Sequence, residues 1–201
     1  MNMTPVKYWQ GGKPWGPAQI APGVSMGGSG CVISSAAIVL SMLLGRVITP
    51  MDVLTMCRKT PGALVDSKGK SPGSLMVWPV VCKAFGVHCD ESIASIPGLE
   101  GIHDFGGHKV DDNADLAGVL AAAMTHGLAA VRVDIDGDGK GDHTIACVGR
   151  SADGGFDCSD PALGKVITLD ANIEKADVFW GPKQKFYRAV AIRAIWLTKP
   201  T

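Results

Sequence analysis

The sequence feature that most constrains the fold is a cysteine placed between a glycine-rich segment and an apolar run. Residues 27–30 read Gly-Gly-Ser-Gly and lead into Cys31. The run 32–44 is apolar apart from three serines, and Gly45 follows it. Such a run is apolar nearly all round and too short to span a bilayer, so it predicts a buried central helix. We expect the glycines to form a flexible lead-in that delivers Cys31 to the first turn of that helix.

A cysteine in a first helical turn has two explanations. Unpaired backbone N–H groups and the positive end of the helix dipole favour a thiolate there, and the thiolate is the nucleophilic form of cysteine. The alternative is a small core residue at a helix start, and free cysteines are buried more often than they are catalytic. On this segment alone the alternative is favoured, so a function for Cys31 depends on partners elsewhere in the chain.

Length, charge and cysteine content narrow the class of protein. The 201 residues suit one domain, 1–201, and 19 basic against 19 acidic residues give no net charge. We therefore expect no nucleic-acid partner. Segment 1–10 has neither a basic lead nor an apolar core, so we expect no signal peptide, no membrane insertion and a cytoplasmic location when made. The six cysteines form no tight framework, which favours reduced thiols, including the close pair Cys82 and Cys89.

The first half of the chain carries loop and helix signals. Segment 8–22 is rich in glycine and proline and predicts an ordered loop pinned by Trp9 and Trp15. Three helices are expected beyond the central one. They cover 50–59 behind a Thr49 cap, 71–85 with a disturbance at Pro79, and a segment from a cap at Asp112 or Asn113 to His126.

The second half of the chain switches to the period-two alternation of β-strands. Strands are expected at 128–135, 143–149, 155–159, 165–169 and 186–197. Helices first and antiparallel strands after them predict an α+β domain. Segment 91–113 predicts only loop. Its His103 and His108, with Asp104, lack the second ligand pair that a zinc site requires.

Partners suited to a nucleophilic cysteine occur along the chain. Such a cysteine needs a base, a group that orients the base, and donors for the oxyanion. His143 opens a strand after a polar hairpin, and Asp160 follows the neighbouring strand, within reach of the far nitrogen of His143. Gln10 could donate two hydrogen bonds to an oxyanion. Taken singly, each residue has an ordinary explanation, such as turn formation by Asp160-Pro161. Their order on the predicted elements favours a catalytic set.

The same residues belong to a series of motifs that resembles a known family. In chain order the motifs are Gln10 with Trp15, Gly30-Cys31, His143 ahead of Val148-Gly149, and Asp160-Pro161-x-x-Gly164. Together they resemble the bacteriocin-processing cysteine peptidases and their stand-alone relatives, over about 8–169. The resemblance implies a papain-like fold: a helical N-terminal part whose buried central helix carries the cysteine, then an antiparallel sheet. It also implies that Cys31 attacks, His143 shuttles the proton, Asp160 orients His143, and Gln10 with the Cys31 backbone N–H binds the oxyanion.

The resemblance also leads to an expected substrate. The processing peptidases are attached to transporter domains, and this sequence reads as a free-standing domain, so we expect a peptide substrate in the form of a peptidoglycan cross-link. By analogy, the expected setting is a phage virion or lysis component, with phage tail or virion proteins as partners. The alternative is a structural or binding module of a virion or assembly that keeps the papain-like fold without catalysis.

The acidic hairpin before His143 predicts a calcium loop. Asp134, Asp136 and Asp138 stand at positions one, three and five, with Gly139 at position six for the sharp turn. The backbone carbonyl of Lys140 at position seven and the carboxylate of Asp142 at position nine complete a set of hard oxygen ligands. The pattern resembles the Asp-x-Asp-x-Asp-Gly-x-x-Asp loops of integrin-type propellers. The alternative is a solvated Asp-Gly turn, which hairpins often use. A bound calcium would be structural and would fix the direction of His143.

Overall fold

The computed structural model describes residues 4–89, 115–139 and 141–197 of the chain. Its helices are α1 Met26–Ser29, α2 Cys31–Leu44, α3 Pro50–Lys59, α4 Trp78–Phe85 and α5 Leu116–His126. The short strands of the first half are β1 Gln19–Ala21, β2 Val24–Ser25, β3 Leu64–Val65, β4 Leu75–Met76 and β5 His88–Cys89. The longer strands of the second half are β6 Leu128–Asp134, β7 His143–Arg150, β8 Phe156–Asp160, β9 Lys165–Leu169, β10 Glu174–Trp180 and β11 Lys183–Trp196. Within the described ranges, every helix is too short or too polar to cross a membrane.

The second half of the chain forms one antiparallel sheet in the order β10-β11-β6-β7-β8-β9, with β5 paired to the far end of β11. The α+β class predicted from the sequence is confirmed. The edge strands β9 and β10 come into contact, so the sheet curls. One face of the sheet carries the apolar cluster that contains α2, and the other encloses a second cluster to which α5 contributes. Strands β6 and β7 therefore lie at the centre of the sheet, with apolar cores on both faces.

Helix α2 is the buried central helix that the sequence predicts, and it begins at Cys31. It packs on β7 and β6, and the buried Ser35 Oγ donates a 2.9 Å hydrogen bond to the carbonyl of Thr144, the residue after His143. Gly45, in the left-handed conformation at φ 63°, ends the helix. This docking fixes the start of α2 against the start of β7.

The expected flexible lead-in to Cys31 is wrong. Residues Met26–Ser29 form a helical turn of their own, capped by the Ser25 hydroxyl, which accepts from the Gly28 N–H. Gly30 then joins α1 to α2, and a Cβ added there would lie 2.3 Å from the Met26 carbonyl oxygen. Glycine is therefore required at position 30 by close backbone approach, and the residue before Cys31 is fixed rather than flexible.

The helix boundaries on either side differ in how well the sequence predicts them. Helix α3 has the expected Thr49 cap, completed as a capping box by Asp52. The expected helix 71–85 is wrong in its first half, because α4 begins at Trp78 and Pro79 lies in its first turn, where a missing N–H breaks no hydrogen bond. The expected cap of α5 is also wrong. Asp115 accepts from the Gly118 N–H, while Asp112 and Asn113 lie outside the described residues.

The strands follow the prediction in the centre of the sheet and depart from it at the edges. β6 to β9 match their expected ranges to within about one residue at each end. The last strand begins at Lys183 rather than at position 186, and its hairpin partner β10 was not predicted. β1 lies within the segment expected to be loop throughout. The expected loop 91–113, with His103, Asp104 and His108, lies outside the described residues.

Alanine substitutions at two buried serines of α2 should have different effects on the free energy of unfolding. Ser41 Oγ accepts from the Ile48 N–H and donates to the Ile48 carbonyl, both at 2.9 Å. Ser34 Oγ is buried without a hydrogen-bond partner among the described residues. We expect Ser41→Ala to lower the free energy of unfolding by about 2–4 kcal/mol, because two buried backbone groups lose their partner. Ser34→Ala, the matched control, should leave it unchanged or raise it slightly. Denaturant unfolding measures both, and equal losses would contradict the prediction.

Candidate active site

Three elements bring the predicted residues together at one edge of the sheet. His143 is the first residue of β7 and Asp160 the last residue of β8. Because β7 and β8 are antiparallel, the start of one strand lies beside the end of the other. Cys31 opens α2, which is docked on β7 next to His143. The structure thus places Cys31, His143 and Asp160 in contact, as the sequence predicts.

His143 and Asp160 form a buried hydrogen-bonded pair. His143 Nε2 lies 2.8 Å from Asp160 Oδ1, and the two side chains are 2% and 0% exposed. An ionised carboxylate only accepts hydrogen bonds, so His143 Nε2 carries the proton and donates it. Asp160 Oδ1 also accepts from the Ala162 N–H at 2.7 Å, in the turn that ends at Gly164. With Nε2 committed to Asp160, Nδ1 is the ring nitrogen left to face Cys31.

Cys31 is half-buried and lies against the His143 side chain, whose hydrogen bonding and charge lower the pKa of its thiol. The backbone N–H groups of Thr144 and Val32 lower that pKa as well. These donors stabilise the thiolate more than the neutral thiol. A thiol in this setting is able to give its proton to His143 and remain close to it as a thiolate.

The electrostatics of the site favour a thiolate beside an imidazolium. Burial alone would raise the pKa of Cys31, but the hydrogen bond and charge of His143 outweigh it and hold that pKa below its ordinary value. Burial alone would lower the pKa of His143, but its hydrogen bonds to Asp160 and Cys31 raise it to about 9. Burial also opposes the charge on Asp160, yet the hydrogen bonds from His143 and Tyr187 hold the pKa of Asp160 below its usual range.

Two aromatic residues of the β10–β11 hairpin complete the surroundings of His143. Tyr187 Oη lies 2.6 Å from Asp160 Oδ2, and Trp180 Nε1 lies 2.7 Å from Tyr187 Oη. The Trp180 ring meets the His143 imidazole edge to face, with centroids 5.2 Å apart. Sequence reasoning missed both residues. The available signal was Trp180-Gly181-Pro182-Lys183, a two-residue hairpin loop with Gly181 at φ 59°.

Gln10 is held between the turn that follows Asp160 and the helical turn that precedes Cys31. Its backbone N–H donates to the Pro161 carbonyl at 2.7 Å, beside Asp160. Its side-chain Nε2 donates to the Gly27 carbonyl at 3.1 Å, and its Oε1 is buried without a partner among the described residues. One Nε2 proton remains for another acceptor. Gln10 is thus tied both to the Asp160 turn and to the helical turn that precedes Cys31.

An exposed indole lies next to Gln10. Trp9 is 57% exposed, although a ring of this size is usually mostly buried. Gly11 and Gly164 leave room for it, because a Cβ on either would lie within about 3.0 Å of a Trp9 side-chain atom. The Trp15 Nε1 donates to the Trp9 carbonyl at 2.8 Å, which fixes the backbone. The Trp9 side chain therefore forms an exposed apolar surface, on a fixed backbone, beside the turn that carries Asp160.

The acidic hairpin before His143 gathers four carboxylates that could hold a metal ion. Oxygens of Asp134, Asp136, Asp138 and Asp142 all lie within 4.8 Å of one another. Asp134 is 4% exposed, and its carboxylate accepts from the N–H groups of residues 136, 137 and 139. Burial alone would raise the pKa of Asp134, but these hydrogen bonds lower it. Lys140, the predicted seventh position, lies outside the described residues.

None of the six cysteines, all of which lie in the described ranges, forms a disulfide in the structure. Burial raises the pKa of Cys57 to about 11, which is the opposite of the shift at Cys31.

Comparison of the chain with protein-family models, with curated proteins and with solved structures finds no match.

The opposite pKa shifts of Cys31 and Cys57 predict selective alkylation. At pH 6–7 we expect iodoacetamide to label Cys31 at least about 10-fold faster than Cys57, because only a thiolate reacts. As the pH is lowered below the ordinary pKa of a thiol, the alkylation rate of Cys31 should stay nearly constant. The ion pair should persist as pH rises until His143 loses its proton near its pKa of about 9. Peptide mapping by mass spectrometry measures both rates. A Cys31 rate that climbs tenfold per pH unit from pH 6 to 8, as for a free thiol, would contradict the prediction.

Proposed function

We propose that this protein is a cysteine hydrolase that cleaves a peptide or related amide bond. One observation carries the proposal: the buried ring of His143 is hydrogen-bonded to Asp160 through Nε2 and lies against Cys31 at the start of α2. A histidine with one nitrogen on a carboxylate and the other on a thiol is the arrangement that nucleophilic catalysis requires. A purely structural histidine at a strand start needs neither partner.

The reaction follows from these contacts. The Cys31 thiolate attacks the carbonyl carbon and forms a tetrahedral oxyanion, and His143 then gives its Nδ1 proton to the leaving amine. The C–N bond breaks and leaves a thioester on Cys31. His143, now neutral, takes a proton from water as that water attacks the thioester. Collapse of the second tetrahedral intermediate releases the carboxylic acid product and restores the thiolate beside imidazolium. Asp160 keeps Nδ1 aimed at Cys31 throughout.

The oxyanion donors are the backbone N–H of Cys31 and the amide of Gln10. The first N–H groups of α2 have no acceptor within the helix, so that of Cys31 is free of helical pairing. Gln10 Nε2 uses one proton on Gly27 and retains a second. Gln10 is also anchored at Pro161, so its amide is held rather than loose. Preorganised donors of this kind stabilise charge as it develops.

We further propose that the fold is papain-like. This is supported by a central helix that begins at the nucleophile and by its docking on the strand that begins with the base. A curled antiparallel sheet that supplies both His143 and Asp160 is consistent with the same arrangement. The family resemblance of Gln10, Cys31, His143 and Asp160 leads to the same proposal.

For the substrate we propose a peptide cross-link of peptidoglycan, in the setting of a phage virion or lysis component. The substrate class comes from the resemblance to the stand-alone relatives of bacteriocin-processing peptidases. The exposed Trp9 beside Gln10 supports it, because an indole offers a broad contact surface for a sugar ring or an apolar side chain.

Digestion of purified peptidoglycan tests this function. We expect new amino and carboxyl termini at the cross-link, seen by mass analysis of the fragments, and complete loss of them in Cys31→Ala. Cys89→Ala, at the other half-buried cysteine, is the matched control and should keep activity. Release of whole stem peptides from the glycan would indicate an amidase instead. No cleavage of peptidoglycan or of peptide libraries by the folded wild-type protein would favour the silent structural module.

We also propose that the ion held by the acidic hairpin is calcium. Three carboxylates at alternating positions and a fourth at position nine, with glycines at positive φ at 137 and 139, form a set of hard oxygen ligands of the kind that calcium prefers. The hairpin closes through the Asp142 N–H, which donates to Val133 at 2.9 Å, and His143 is the next residue. An ion here would fix the start of β7 and take no part in the chemistry.

Calorimetric titration of chelator-treated protein tests the calcium site. We expect binding at or below millimolar calcium, and a stabilisation of about 2.7 kcal/mol when calcium reaches 100 times its Kd. Asp136→Ala combined with Asp138→Ala should abolish both. Asp170→Ala is the control, since Asp170 also accepts backbone hydrogen bonds in a turn but lies outside the cluster. No heat of binding, or binding unchanged in the double variant, would contradict the proposal.

A further inference from the structure

The hydrogen bonds behind Asp160 run in one direction only. An indole N–H donates and never accepts, so Trp180 Nε1 donates to the Tyr187 oxygen at 2.7 Å. A carboxylate accepts and never donates, so Tyr187 gives its hydroxyl proton to Asp160 Oδ2 at 2.6 Å. His143 donates to the other oxygen, Oδ1. Each hydrogen bond has only one possible donor, and the series of donors ends at the Asp160 carboxylate.

We propose that Tyr187 is a positioning residue for the catalytic base: it fixes Asp160, and through Asp160 the ring of His143, with Trp180 fixing Tyr187 in turn. The inference rests on the proposed function. It adds Tyr187 and Trp180, which belong to the β10–β11 hairpin and lie outside the sequence motifs that contain Cys31, His143 and Asp160.

The geometry explains how Tyr187 could act. A carboxylate held through one oxygen is free to rotate about its Cβ–Cγ bond, which would turn Oδ1 away from His143. Here Oδ1 is held by the Ala162 N–H and His143, while Oδ2 is held by Tyr187. Both oxygens are therefore fixed. Tyr187 is 0% exposed, belongs to the apolar cluster to which α5 contributes and packs edge to face against Trp180, so its ring is held by its surroundings.

Among the described residues, few other charged groups face the His143 ring. Cys31 faces it from α2, Asp160 from the end of β8, and Tyr187 from β11. β6 presents the apolar Val133 as its register partner, and β10 presents the edge of Trp180. Asp142 precedes it in the chain and belongs to the acidic hairpin. Asp160 is therefore the residue that holds the His143 ring through Nε2, and loss of the orientation of Asp160 should leave that ring less well aimed at Cys31.

The pH dependence of Cys31 alkylation in Tyr187→Phe tests the inference, because it reports the ion pair without a substrate. We expect the acid midpoint of the alkylation rate to move up by about 1–2 pH units, so that the level part of the rate profile begins at a correspondingly higher pH. This is the range that a hydrogen bond to a charged group corresponds to. Tyr8→Phe removes the same hydroxyl from the other of the two tyrosines and should leave the midpoint unchanged.

The possible outcomes separate positioning from core packing. A residue that merely fills the core would lower the Tm of Tyr187→Phe and leave the midpoint in place, and that result would overturn the inference. If Tyr187→Phe does not fold, Trp180→Phe replaces it. That variant keeps an aromatic ring and removes the N–H, so we expect a smaller shift in the same direction, and no shift would overturn the inference. An ordinary thiol titration in the wild-type protein would overturn the proposed function itself, and this inference with it.

Discussion

The structure of the site depends on one buried charge, the carboxylate of Asp160. A carboxylate taken out of water is costly unless its oxygens are hydrogen-bonded, and Asp160 is 0% exposed. The chain satisfies it from three directions: His143 on the next strand, the Ala162 N–H in its own turn, and Tyr187 on the last strand. The same bonds that stabilise the charge also set the tautomer of His143. The requirement to pair one anion thus links the sheet to the helix that carries Cys31.

Sequence reasoning reached the parts of this arrangement that local rules determine. Cys31 begins a helix because an apolar run follows it, and His143 begins a strand because a turn precedes it. Asp160 ends the neighbouring strand because Pro161 stops it. Antiparallel pairing then requires the start of β7 and the end of β8 to share an edge. The α+β class and the juxtaposition of these three residues could therefore be predicted from short segments.

The parts that the sequence did not predict depend on which segments pair and how closely the backbone approaches, which residue pattern alone does not show. β10 mixes charged and aromatic residues and becomes a strand by pairing with β11. Tyr187 lies in a segment, 186–197, that is apolar apart from Arg188 and Arg193, so the two faces of the strand cannot be told apart by pattern. A bulge between Ala189 and Ala191 lets Tyr187 and Ile192 share a cluster despite their odd spacing. Gly30 looks like a flexible residue in the sequence, and only the position of the Met26 carbonyl makes it a fixed one.

The central claim is that His143 is an imidazolium paired with the Cys31 thiolate near neutral pH. An NMR titration of ring-labelled histidines measures this directly, with the His143 signal assigned by its loss in His143→Gln. We predict that His143 keeps both ring protons up to about pH 9 and that its midpoint falls in Cys31→Ala, where the thiolate is absent. A His143 that titrates near 6.5 and ignores the loss of Cys31 would contradict the account.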